Sequence, residues 1–83
     1  MSESIDRMKL EPGDVITFGK EYFVYIGYDL NAFQFYGIGD TRFRVSKEDM
    51  FKLDGATVIG KVKPGKGIRK RFVEFLSSIM KVA

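Results

Sequence analysis

Between Val15 and Val45, runs of aromatic and β-branched residues are separated by turn signals only two to four residues long. That spacing leaves little choice of fold. Parallel neighbours need a crossover of a dozen or more residues, whereas loops this short return each strand antiparallel to the last. Pro12-Gly13-Asp14 reads as a turn that launches a strand over 15–18, and Gly19-Lys20 as a two-residue type II′ loop. A second strand is expected over 21–28, a four-residue turn over 29–32, a third strand over 33–38, a tight loop at Gly39-Asp40, and a fourth strand over 41–45.

The pattern then changes. Ser46 stands three residues before Asp49, a capping-box spacing that predicts one helical turn through Met50 and Phe51. After the Asp54-Gly55 turn, residues 57–62 read as a fifth strand, and Pro64, Gly65 and Gly67 mark a break. Beyond it, Ile68, Phe72, Phe75, Leu76, Ile79 and Met80 recur at spacings of three and four, which places them on one face of a helix. The expected organisation is a flexible tail over 1–9, a sheet domain over 10–62, a basic Pro/Gly hinge over 63–67 and an amphipathic helix over 68–82. The fold class is mainly β: a small five-stranded antiparallel barrel, Src-homology-3-like or OB-like, with one C-terminal α-helix. At 83 residues the chain makes one domain with a limited core.

Most enzyme chemistry lacks its side chains here. The chain has no histidine and no cysteine, which removes the commonest general base, the commonest metal ligand and thiolate nucleophiles. Asp29-x-Asn31 imitates the start of a calcium loop, but Gln34 stands where that loop requires glycine. Gly65-Lys66-Gly67 follows a strand and opens a helix as a phosphate loop does. Lys70 replaces the last glycine of the dinucleotide fingerprint, and no further strand completes the unit. No metal, cofactor or small-molecule substrate is therefore expected, and no catalytic residue is assigned. The Pro12-Gly13-Asp14 turn and the Ile59-Gly60-Lys61-Val62 segment resemble pieces of the β-rich domain of self-cleaving repressors and signal peptidases. Neither piece carries that family's catalytic serine or lysine, so the resemblance implies no activity.

Charge is split by position. Residues 61–83 hold seven basic residues and one acid, and residues 1–60 hold seven basic residues and ten acids, giving +6 and −3 within the overall +3. Lys61, Lys63, Lys66, Arg69, Lys70 and Arg71 crowd the junction of the last strand with the helix, where an anionic partner would be attracted. Arg69, Lys70 and Arg71 also oppose the helix dipole, which folding alone does not explain. Six phosphate contacts there would give log affinity a slope of about −5 against log salt.

Nine of the twelve aromatic residues lie between Phe18 and Phe43, more than one face of a small sheet can use. Simple alternation puts Tyr22, Val24, Ile26 and Tyr28 on one face of the second strand and Phe23 and Tyr25 on the other. Tyr22, Tyr28 and Tyr36 are then candidate stacking residues, flanked by Arg42 and Arg44. The resulting expectation is a non-enzymatic nucleic-acid-binding module in the cytoplasm. The alternative is a protein-interaction or homodimeric assembly module that uses the apolar helix face, Phe72, Phe75, Leu76 and Ile79, or the aromatic strand surface. Serines on the helix's polar side argue against a membrane surface.

Overall fold

The switch from strand to helix patterning near residue 68 is the main division of the structure. In a computed structural model of the chain, residues 10–39, 41–49 and 55–80 are described. They form β1 (Asp14–Phe18), β2 (Glu21–Asp29), β3 (Ala32–Tyr36), β4 (Arg42–Ser46), β5 (Thr57–Lys61) and α1 (Ile68–Met80). Residues 47–49 make one 3-10 turn. The expected tail over 1–9, the turn at Met50 and Phe51 and the end of the helix at 81–82 lie outside the described residues.

All pairings are antiparallel, and the five strands form one sheet in the order β4-β3-β2-β1-β5. Among the described residues no ladder joins β4 to β5, so the sheet is not closed.

The sheet buries both faces. On one, Val15 and Val24 meet Ile68, Phe72 and Leu76 of α1, with Tyr22, Ile26, Tyr36, Val62 and Phe75 around them. On the other, Ile16, Phe23, Tyr25, Phe35 and Ala56 form a second cluster. A 13-residue helix is marginal alone in water, so this docking supports it. Each fully buried large side chain contributes roughly 1.5–3 kcal/mol. Gly60 of β5 lies directly beneath the Phe75 ring, where a Cβ would come within 2.4 Å of the ring tip.

One bulge changes the reading of β2. Tyr25 pairs with Phe35, but Gly27, not Ile26, pairs with Gln34. Gly27 has φ +134°, a conformation open mainly to glycine, and the extra residue inverts the alternation beyond it. Tyr28 therefore shares a face with Tyr25 and Phe33, not with Tyr22 and Val24 as simple alternation implies. Its ring meets that of Phe33 edge-on at 4.9 Å.

The expected four-residue turn at 29–32 is a two-residue turn. Asp29 pairs with Ala32, leaving Leu30 and Asn31 as the turn residues, with φ of 54° and 60°. Positive φ at both positions is the requirement of a type I′ turn, which favours Asn-Gly. Leu30 is 71% exposed, so its left-handed backbone is not offset by burial. Replacing Leu30-Asn31 by Asn-Gly is expected to raise stability by about 1 kcal/mol, read as a higher urea midpoint at unchanged m. An unchanged or lower midpoint would count against this account of the turn.

Candidate nucleic-acid interface

The basic residues of the junction divide by what holds them. Lys61, at the end of β5, binds the Glu11 carboxylate and lies 3.9 Å from Asp14. Glu11 is placed there by the turn before β1, in which its N–H donates to Asp14 Oδ2 at 2.9 Å. The Lys61 contact holds the Glu11 carboxyl below the ordinary carboxylate range and raises the Lys61 ammonium. Lys61 is thus already matched by acids of its own chain.

The signs give a two-sided pH dependence. The depressed Glu11 contributes above its unfolded pKa, and that contribution is lost as pH falls through the lowered folded value. The raised Lys61 contributes below its unfolded pKa, and that contribution is lost as pH rises through the folded value. In Lys61→Met the Glu11 carboxyl should return to the ordinary range in an NMR titration. An unmoved titration would show that the contact does not persist in solution.

Arg71 serves the backbone. Its Nη1 donates to the carbonyls of Lys63 at 3.1 Å and Lys66 at 2.8 Å. With Ile68 N–H donating to Gly65 O and Arg71 N–H to Gly67 O, it ties the 63–67 segment to the first turn of α1. This explains one cation placed against the helix dipole: its guanidinium satisfies loop carbonyls.

Arg69 and Arg42 converge on Tyr36. Their guanidinium carbons lie 5.2 and 5.9 Å from the ring centroid, within cation–π range. Tyr36 pairs with Arg42 across β3 and β4, on the face covered by α1. Arg69 Nη2 also donates to Gly39 O at 2.7 Å, joining the helix start to the β3–β4 connection. A cleft of about 250 Å³ opens there between Gly37, Gly39, Arg69, Lys70 and Val73. Lys70, itself exposed, lines it, and Lys63 and Lys66 are exposed in the loop before α1.

Tyr28 is separated from Tyr22 and Tyr36, which share a face of the sheet. Tyr22 and Tyr36 are half-buried against the α1 cluster, and Tyr28 is 49% exposed on the opposite face. The fourth, Tyr25, is buried, and that burial raises its phenol pKa. Arg44 is exposed on the α1 side of β4, opposite Gln34. Of the residues considered for a partner interface, Phe72 and Leu76 are buried in the chain's own core. Phe75 is half-buried over Gly60, and Ile79 is 38% exposed.

The Arg42–Tyr36–Arg69 cluster was missed by pattern reading, because its members are neighbours only through strand pairing and helix docking. Among the described residues no group of three His, Cys, Asp or Glu side chains could hold a metal, and no helix is long and apolar enough to cross a membrane. Comparisons with protein-family models, curated proteins and solved structures find no match to the chain.

Proposed function

We propose that the chain is a non-catalytic module that binds nucleic-acid phosphates at the start of α1. The observation that carries this reading is the convergence of Arg69 and Arg42 on Tyr36, with Lys70 in the cleft that Arg69 lines and Lys63 and Lys66 exposed in the loop before α1. Two guanidinium groups held beside one ring, one of them lining a small cleft with Lys70, favour an anion close to them.

The proposed contact set is smaller than charge alone suggests. Lys61 is matched by Glu11 and Arg71 by backbone carbonyls; the proposed phosphate ligands are the exposed Lys63, Lys66 and Lys70 together with Arg69, which contributes its charge while held by Tyr36 and Gly39 O. Tyrosine stacking forms no part of the proposal, because Tyr22 and Tyr36 pack on α1 and Tyr28 faces away. Recognition on these terms is of backbone charge, not of base identity.

The proposal also takes the sheet as an open Src-homology-3-like barrel. Four strands run in sequence, a short 3-10 turn follows, and β5 returns beside β1. An open edge and two buried faces are compatible with such a curl.

Salt titration of labelled oligonucleotide binding tests the function. Four contacts give an expected slope of about −4 on duplex. Reversing Lys66, Arg69 and Lys70 to glutamate should reduce affinity at low salt at least about tenfold. Absence of binding at low salt, or affinity unchanged by the reversals, rules the reading out.

A further inference from the structure

Strand β4 ends the sheet. Among the described residues it pairs with β3 alone, so the outward backbone groups of Arg42–Ser46 face no strand. Beside this edge, on the face away from α1, lies a cavity of about 440 Å³ lined mainly by Ile16, Phe18, Phe23, Phe35, Phe43 and Val45, with Lys20 and Glu21 of the β1–β2 hairpin also in its wall. Ile16 and Phe35 are its buried floor, and Phe43 remains 39% exposed on β4 itself. The opposite face of the same strand presents exposed Arg42 and Arg44.

We propose that this edge accepts an extended peptide from another protein, one in which apolar residues alternate with acidic ones. A strand added to β4 continues the pleat, so its side chains fall alternately on the two faces. Those on the face of Phe43 and Val45 reach the aromatic cavity. Those on the face of Arg42 and Arg44 meet guanidinium groups, which favour carboxylates as cross-strand neighbours. Backbone pairing supplies the general attraction, and this two-faced pattern supplies the selectivity.

A second copy of the chain does not meet these terms. Two β4 strands paired with each other bring arginines together on one face, a repulsion typical of protected edges. The other edge, β5, reads Thr57-Val58-Ile59-Gly60-Lys61 and offers no acid. The cavity side and the arginine side together select a foreign strand with acidic residues at every second position.

The probe is a labelled seven-residue peptide alternating phenylalanine or valine with glutamate, added to the full chain and read by fluorescence anisotropy. Its control keeps the apolar residues and replaces each glutamate by lysine. The glutamate peptide should bind at least about tenfold more tightly, and it should slow amide exchange along Arg42–Ser46. Arg44→Glu, at an exposed site that leaves the core intact, should erase or reverse the preference. Phe43→Ala should weaken both peptides. Equal affinity for the two peptides overturns the proposal, as does no saturable binding of either, or exchange protection confined to β5 or α1.

Discussion

Gly13→Ala is expected to destabilise the protein by about 3 kcal/mol or more. Three constraints meet at this residue. Its φ is +101°, a region that side-chain-bearing residues rarely adopt. Its N–H donates to Tyr25 O at 2.7 Å, and its carbonyl accepts from Val62 N–H at 2.8 Å, so it joins the start of β1 to β2 and to the end of β5. A Cβ built at Gly13 would lie 2.1 Å from the carbonyl oxygen of Val62, a backbone atom that cannot swing aside. Relieving the clash means breaking the Val62 bond, which also disturbs the Lys61 contact with Glu11. A domain of this size has a total stability of roughly 4–12 kcal/mol, so the substitution removes a large part of it. Gly19→Ala is the comparison: φ is +64°, but no atom lies within 4 Å of the added Cβ. It should lose only about 1 kcal/mol. Equal urea midpoints for the two variants would refute the steric argument.

Local pattern was enough for the elements and their direction. The glycine, asparagine and aspartate turns separate β1 to β4, and the spacing of Ile68, Phe72 and Leu76 gives α1 and the face it buries. Those signals act between residues a few positions apart. What pattern reading lost depends on register. A bulge of one residue at Ile26 and Gly27 moved Tyr28 to the other face, and the isolated Gly27 inside an aromatic run was its only local trace. Two apolar faces obscured the alternation that would otherwise have exposed the slip.

The candidate site was less legible for the same reason. Lys61 and Glu11 are 50 residues apart in sequence, and Arg69 and Gly39 are 30 apart. Charge counting treats every cation at the junction alike. Pairing of β1 with β5 neutralises Lys61, while the turn of α1 commits Arg71 to carbonyls. The difference between a bulk basic segment and four candidate phosphate ligands is thus a tertiary property.

Phe72→Ala tests the dependence of that site on helix docking. Phe72 is 1% exposed and lies between Val15, Val24, Ile68 and Leu76. Removing a buried phenylalanine ring usually lowers stability by about 3–5 kcal/mol, from lost transfer energy and the cavity left behind. The hydrophobic contacts of α1 with the sheet centre on this side chain, and 13 residues do not hold a helix in water unaided. The expected result is a lower urea midpoint with loss of helical circular dichroism before the sheet signal is lost. Val73→Ala, on the same helix at a position 51% exposed, should stay within about 0.5 kcal/mol of the parent. Phe72 also stands one turn from Arg69, so undocking α1 withdraws that guanidinium from Tyr36 and from Gly39 O. Where Phe72→Ala still folds, its oligonucleotide affinity should fall and its salt slope should move from about −4 toward −2, as Arg69 and Lys70 cease to act together with the loop lysines. Unchanged helix content and stability would mean that α1 is held by something other than its packing on Val15 and Val24. Unchanged slope in a variant with a loosened helix would separate the basic segment from the Tyr36 cluster.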